Sequence, residues 1–349
     1  MVKDAVPLGE CGRALVVKLR HHGDVLLAAP VLSVLKAHAP AIEVDALVYD
    51  DTAPMLAGHP ALARLHTAGR NWRSLGAFDR LRREKALLGE LRARRYDLLV
   101  HLTEQPRGAW LTRVLGSRWS VAPINASRGW FWEKSFTHLY PLARNRHQVE
   151  LNLDALRRIG VQPGSDERKV IFVPGAAAET KVRELVTGPF VHMHPASRWR
   201  FKCWPAERNA ALADRLADEG HRVVMTSAPD ETPFIDEILG KMKSKPVNLA
   251  GTLSLKELGA LTARARLFVG VDSMPMHLAA AMGVPTVALF GPSSEIVWGP
   301  WNVAQRVMTT THSCRPCGID GCGGGKVSEC LTQLSIEPVH AAARELLAR

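Results

Sequence analysis

Three short stretches of this chain collect residue types that can move protons or hold anions. The first is Lys18-Leu19-Arg20-His21-His22-Gly23-Asp24. A carboxylate within hydrogen-bond reach of a hydroxyl can take its proton as that oxygen attacks an electrophile. Asp24 is the carboxylate of this stretch, placed where a helix would begin, with His21 and His22 beside it and Gly23 letting the backbone turn sharply. The same aspartate would serve as a helix cap, with the histidines on a solvated loop. The second stretch is His192–Arg208, HMHPASRWRFKCWPAER. Ser197, Arg198, Arg200 and Lys202 lead into Pro205, a residue favoured in the first turn of a helix. A basic loop feeding a helix N-terminus describes a phosphate site, and it also describes an ordinary solvated loop. In the third stretch, Leu267–Ser294, Asp272, Ser273 and His277 fall within six residues between an apolar run and a helical pattern.

Cys314, Cys317, Cys322 and Cys330 form a fourth cluster with spacing C-x2-C-x4-C-x7-C. Four thiolates can hold zinc tetrahedrally or carry an iron–sulfur cluster. The second C-x-x-C of a zinc motif is missing, and reduced thiols packed in a loop are the alternative. A structural zinc is the metal expected if there is one.

The elements that must position these groups follow from the alternation of apolar and amphipathic runs. Ala14–Leu19, Glu43–Tyr49, Asp97–Thr103 and Ser120–Pro123 read as strands in the first half. Phe190–Pro195, Arg222–Ser227, Val247–Ala250, Leu267–Val271, Thr286–Phe290 and Arg306–Thr309 read as strands in the second. Helical patterns such as Val25–His38 and Ser74–Arg95 lie between strands. Such alternation implies parallel sheets with helices on both faces. Gly, Pro and charge collect at Gly160–Pro174, which divides the chain into domains 1–165 and 166–349. Open α/β sheets bind ligands at the carboxyl ends of their strands, and each of the three stretches follows such a strand.

Composition narrows the partners. The 349 residues are 46% hydrophobic, enough for two cores, and the net charge is +11. That excess suits an anionic partner: nucleic acid, acidic lipid or a phosphorylated substrate. Arg64–Arg95 alone carries ten Lys/Arg against three Asp/Glu. This stretch reads either as a surface for anions or as a solvated helix face. Trp130 and Trp132, close to Lys134, would touch lipid or sugar, or pack in a core. No basic–aromatic strand signature of an RNA-binding module is present, so nucleic acid is not an expected partner. No run of about 20 apolar residues and no leader-like N-terminus is visible, which gives a cytoplasmic expectation. No G-x-G-x-x-G follows the first strand, GCGGGK at 321–326 fails the P-loop spacing, and no Asp-x-Asp pair occurs.

Together, VVKLRHHGDVLLAAPVLSVLK, SRWRFKCWP and VGVDSMPMHLAAAMGVPTVALFGPSS resemble the lipopolysaccharide heptosyltransferases, glycosyltransferase family 9. KLRHHGD and CRPCGIDGCGGGKVSECL are most similar to the heptosyltransferase III branch. The resemblance spans nearly the whole chain. It implies the GT-B fold, two facing Rossmann-like doubly wound domains, the first binding the acceptor and the second the nucleotide-sugar. It implies inverting, metal-independent transfer from ADP-L-glycero-β-D-manno-heptose to an inner-core heptose of phosphorylated lipopolysaccharide, with no cofactor required for catalysis. By the same resemblance Asp24 is the catalytic carboxylate, Lys202 binds the diphosphate with Ser197 as hydroxyl donor, and Asp272 binds the donor heptose with Ser273 and His277 beside it. The ribose-binding acid falls on Asp230 or Glu231, and the adenine contact on Leu253. His21, His22 and Gly23 line the acceptor side. Some family members carry Thr-Gly after the third-motif aspartate, where this chain has Ser273-Met274. A monomer in peripheral contact with the inner face of the inner membrane is expected. A UDP-sugar 2-epimerase on the same scaffold is the alternative enzyme class, and an RNA-binding protein the non-enzymatic one.

Overall fold

The computed structural model describes residues 4–349. The chain divides into two compact units, Met1–Phe172 and Val173–Arg349. The division lies beyond the expected 165/166 because the short turn Asp166–Arg168 is fastened to the first unit. Arg168 Nη1 donates to Glu150 Oε1 at 3.2 Å, and Glu167 Oε2 lies 3.1 Å from His38 Nε2.

Unit 1 holds β1 (Arg13–Val17), β2 (Glu43–Tyr49), β3 (Leu62–Ala68), β4 (Leu98–His101), β5 (Trp119–Pro123) and β6 (His138–Tyr140). They form one parallel sheet in the order β3-β2-β1-β4-β5-β6. The apolar pattern of the sequence picks out four of these strands and passes over β3 and β6. Those two are the sheet edges, where one side needs no buried partner. β3 accordingly exposes Ala63 and Arg64, and β6 is three residues long. Unit 2 holds β7 (Val191–His194), β8 (Val223–Met225), β9 (Val247–Asn248), β10 (Leu267–Val271), β11 (Thr286–Leu289) and β12 (Gln305–Met308), in the order β12-β11-β10-β7-β8-β9. Both orders trace the same doubly wound path, which reverses between the first and fourth strands of each unit. Crevices at the carboxyl ends of β1 and β4, and of β7 and β10, follow from that reversal.

The helices of unit 1 are α1 (His22–Leu26), α2 (Ala29–His38), α3 (Ala77–Arg94), α4 (Pro106–Leu115), α5 (Gly129–Glu133) and α6 (Gln148–Arg158). The single helix expected over Val25–His38 is therefore two. Pro30 sits in the first turn of α2, where its missing N–H costs nothing, and the chain breaks at Leu27–Ala28 to put it there. The helical start also moves back to His22, which places Asp24 inside a first turn rather than ahead of it. Among the described residues no helix is long and apolar enough to cross a membrane.

One polar group is built into the sheet of unit 1. Asp45 of β2 is fully buried and accepts from Arg94 Nε at 2.8 Å and Tyr96 Oη at 2.8 Å, with His66 Nε2 3.4 Å away. Burial pushes its carboxyl up, but the hydrogen bonds from His66, Arg94 and Tyr96 outweigh that and hold it at about 2. The folded value lies below the ordinary 3.8. Its stabilisation is thus complete above the unfolded value and is lost as pH falls toward 2. Asp45→Asn removes one of the two carboxylates that hold the Arg94 guanidinium, Glu43 at 2.6 Å being the other, and should cost about 1.5–3 kcal/mol in urea unfolding at neutral pH. The gap between variant and native chain should narrow as pH drops through that window; a gap independent of pH there would contradict the assignment.

Candidate active site

In unit 2, the two strands flanking the reversal deliver the second and third sequence motifs to one place. β7 ends at His194, and the chain runs through Ser197 into a single 3-10 turn, Arg200–Lys202. The fully buried Trp204 anchors that turn by donating Nε1 to Leu334 O at 2.9 Å, and Ser328 Oγ donates to Phe201 O at 2.6 Å. Pro205 then caps the helix Ala206–Asp218. β10 ends at Val271, and Asp272 follows it with 6% exposure. Gly270 lets β10 lie against β7 at this point, since a Cβ there would fall 2.9 Å from His194 O. The result is a contact between residues 70 apart in sequence: Lys202 Nζ donates to Asp272 Oδ2 at 2.6 Å. Ser273 is the N-cap residue of the helix Met274–Ala281. His277 lies one turn on, buried with its ring 6.2 Å from Trp298. Ser197 Oγ accepts from Trp199 N at 3.3 Å. A partly exposed ammonium, a carboxylate and the start of a helix thus converge at the carboxyl edge of this sheet, an arrangement suited to a diphosphate and the sugar it carries.

Beside it runs a buried chain of hydrogen bonds whose proton positions are fixed from one end. Thr262 Oγ1 donates to Leu258 O at 2.7 Å, so it accepts from His192 Nδ1 at 3.2 Å. Burial, and then the neighbouring His194, push the His192 pKa well below the ordinary value, so its other nitrogen is bare. His192 Nε2 therefore accepts from Thr226 Oγ1 at 2.7 Å, and Thr226 Oγ1 accepts from His194 Nδ1 at 2.7 Å. His194 Nε2 is left facing Glu231 Oε2 at 3.8 Å. Glu231 also accepts from Ala228 N at 3.0 Å. Burial pushes its carboxyl up, but His194, the Ala228 amide and Arg198 outweigh it and the net shift is downward. Asp230, on the same turn, is exposed. Of the two acids expected near β8, Glu231 is the one held in place. Gly251 packs on Pro229 and Thr232, bringing the segment that carries Leu253 against this turn.

In unit 1 the first motif stands at the other reversal. The chain leaves β1 at Val17, bends with Arg20 N on Lys18 O at 3.1 Å, and enters α1 with His21 as its N-cap residue. Gly23 lies within α1 in helical conformation, so the sharp turn expected of it is made by Lys18–Arg20 instead. Asp24 occupies the first turn, its side chain 13% exposed and 3.7 Å from Arg20 Nε. His22 Nε2 lies 3.0 Å from Asp51 O, and His21 is exposed. Beneath them Lys18 is buried, donating Nζ to Leu102 O at 3.1 Å and Asn152 Oδ1 at 2.9 Å. Burial pulls its pKa down to about 8, against the attraction of Asp24 and with the repulsion of Arg20. Asn152 also donates to Leu27 O at 2.9 Å, so α6 ties the end of β1 to the end of α1.

Of the readings of the cysteine cluster, the structure does not support the zinc site. Among the described residues no three Cys, His, Asp or Glu side chains are grouped to hold a metal ion. Cys314 is exposed, Cys317 and Cys322 are half-buried, and Cys330 is buried with its thiol pushed up by burial. The segment braces its surroundings instead. Arg315 donates Nε to Gly291 O at 2.7 Å and pairs with Glu295 at 3.1 Å, while Ser328 holds the Lys202 turn through Phe201.

The polar chain through Thr226 and Thr262 and the buried Lys18 escape sequence reading. Lys18 alone left a signal, a charge inside an apolar run. Comparison with known proteins finds relatives of the chain. The model of glycosyltransferase family 9 (heptosyltransferase) matches residues 85–327. The chain is 37% identical to lipopolysaccharide heptosyltransferase 3 of Escherichia coli K12, covering 82% of this chain and 85% of that one. It is 29% identical to lipopolysaccharide heptosyltransferase 1 of Pseudomonas aeruginosa, covering 87% and 86%. Among solved structures, the family 9 glycosyl transferase of Veillonella parvula superposes with a TM-score of 0.85 at 24% identity, covering 99% of both chains. E. coli heptosyltransferase WaaC with ADP superposes with a TM-score of 0.74 at 23% identity, covering 96% of this chain and 99% of that one.

Proposed function

This chain belongs to glycosyltransferase family 9, the heptosyltransferases, and from that premise we propose that it transfers heptose from ADP-L-glycero-β-D-manno-heptose to an inner-core heptose of phosphorylated lipopolysaccharide, with inversion and without a metal. The observation that carries this reading is the Lys202–Asp272 pair at the carboxyl ends of β7 and β10. Lys202 meets the diphosphate, Ser197 adds a hydroxyl, and Asp272 with Ser273 meets the donor sugar. His277 holds that helix's first turn against Trp298. Glu231, held by the Ala228 amide at 3.0 Å, takes the ribose hydroxyls, and Leu253 faces the base. Unit 1 presents the acceptor: Asp24 takes the proton of the attacking hydroxyl as the bond from the anomeric carbon to the diphosphate breaks, and the new glycosidic bond forms on the opposite face. The negative charge that develops on ADP is met by the Lys202 ammonium and the N-terminal amides of the helix at Met274.

The reaction takes place on a lipid-borne acceptor, so the chain works at the inner face of the inner membrane, and we propose that it does so as a monomer. The excess of positive charge supports this, each basic residue near an anionic leaflet contributing about 1 kcal/mol. The test is transfer from ADP-heptose onto lipopolysaccharide cores truncated at defined sugars, followed by mass spectrometry. A single added heptose on one truncation and no turnover of UDP-sugars is the expected result. The same assay in EDTA should run at an unchanged rate. Loss of transfer in EDTA with recovery on adding Mg²⁺ would overturn the metal-free step.

A further inference from the structure

Unit 1 contains a cavity of ≈ 1170 Å³ beside the Asp24 loop, two of its lining residues, Arg70 and Gln105, donating to Arg20 O at 2.8 Å and Leu19 O at 3.4 Å. Residues of α3 and α4 line it, with Leu47 and Tyr49 of β2 and with Gly69, Arg70 and Trp72 just after β3. Leu47, Leu87, Leu88, Leu91 and Leu111 give it one aliphatic side, while Tyr49, Trp72 and Gln105 also line it. The leucine side offers nothing to the hydroxyls of a sugar, whose desolvation there would go uncompensated. The rim is of the opposite character. Arg70, Arg80, Lys85, Arg107 and Arg128 stand around it. Two of these cations are paired, Arg107 with Glu84 at 2.6 Å and Arg70 with Asp51 at 2.7 Å. The mouth is also unusually apolar for a surface. Trp110 and Leu81, both in the lining, are 58% and 67% exposed, and Phe78, one turn before Leu81, is 80% exposed. On α5, Trp130 is 68% exposed, with Arg113 over its face and that of Phe131.

Large apolar side chains left in water next to a cavity mark a binding surface. Aromatic side chains interleaved with arginine and lysine are the composition of surfaces that lie in a lipid interface. A cavity with one aliphatic side and a cationic mouth fits a ligand that is apolar at one end and anionic at the other. We propose that this pocket binds an anionic phospholipid of the bilayer, one acyl chain among the leucines and the phosphate at the rim, with Phe78, Leu81, Trp110 and Trp130 seated in the headgroup layer. This deepens the membrane-face reading given above by naming the surface and its ligand. It also separates two ways of being there: a diffuse attraction of positive charge, or a site that takes hold of a lipid.

The experiment uses the full chain without donor or acceptor. Calorimetric titration with dihexanoyl- and dioctanoyl-phosphatidylglycerol, both below micelle formation, reads the cavity. Two extra methylenes on one enclosed chain should tighten binding roughly tenfold. Leu88→Trp narrows the cavity from within and should erase that chain-length dependence, while circular dichroism and ADP binding by unit 2 stay unchanged. Arg80→Glu combined with Lys85→Glu touches only exposed side chains, so the fold is safe. It should abolish the preference for vesicles containing phosphatidylglycerol over pure phosphatidylcholine. Equal affinity of the native chain for the two short lipids overturns the pocket, even if vesicle binding by charge alone persists. Failure to bind anionic vesicles at all removes the membrane contact as well, and neither result bears on ADP titration, which tests the transferase reading.

Discussion

Asp24→Asn is expected to cut the rate of heptose transfer by roughly 10²–10⁴-fold, the usual worth of a positioned general base, and to leave ADP affinity unchanged. The substitution keeps the shape of the side chain and its place in the first turn of α1, 3.7 Å from Arg20, and removes only the ability to accept a proton. The groups assigned to ADP all stand on unit 2, so a change in nucleotide binding is not anticipated. The site has a feature that makes the carboxylate costly to replace structurally. Lys18, buried below it, is held by Leu102 and Asn152 and feels the charge of Asp24. Removing that charge leaves a buried ammonium less compensated, so a modest loss of stability should accompany the kinetic one. Thermal unfolding and transfer measured on the same preparation separate the two. A folded variant that binds ADP and transfers heptose near the native rate would return Asp24 to the role of a helix-capping acid.

What was legible in the sequence depended on how much each feature leaned on local pattern. β2 and β10 begin and end where their apolar runs do, because both strands are interior and need hydrophobic side chains on both faces. β3 and β6 lie on the edges and carry no such signature. The break between α1 and α2 was signalled by Pro30 but masked by the continuous apolar run around it. In the second unit, the residue types at Lys202 and Asp272 mark a site, yet their 2.6 Å contact is a product of strand order, since only the reversal between β7 and β10 brings them side by side. His192, His194 and Thr226 sit in or just after strands, where alternation reads them as core. Their hydrogen-bonded chain becomes visible only with β8 and the helix Leu255–Thr262 in place. The cysteines show the converse failure. Their spacing suggested a ligand set, but spacing does not control burial, and Cys314 and Cys330 end in opposite environments.

Replacing the two members of the Lys202–Asp272 pair should have effects of opposite sign on ADP binding. Lys202→Ala removes a charged hydrogen bond to the diphosphate, worth about 1.5–3 kcal/mol, so ADP affinity should fall about 10- to 150-fold. It also leaves the Asp272 carboxylate, only 7% exposed, without its cation, and the negative charge that remains repels the diphosphate further. Asp272→Asn does the reverse. It preserves the shape at the end of β10, releases Lys202 from its 2.6 Å contact, and deletes a negative charge beside the site for a dianionic or trianionic ligand. ADP should then bind as well as before or more tightly. The sugar, by contrast, loses the acceptor proposed for its hydroxyls, so ADP-heptose binding and turnover should fall. Calorimetry with ADP and with a non-transferable ADP-heptose analogue on both variants and the double variant gives the full cycle. If the double variant shows the sum of the single effects, the two residues act independently and the contact is incidental. If Asp272→Asn weakens ADP as much as the sugar nucleotide, Asp272 serves only to orient Lys202, and the donor heptose must be recognised elsewhere.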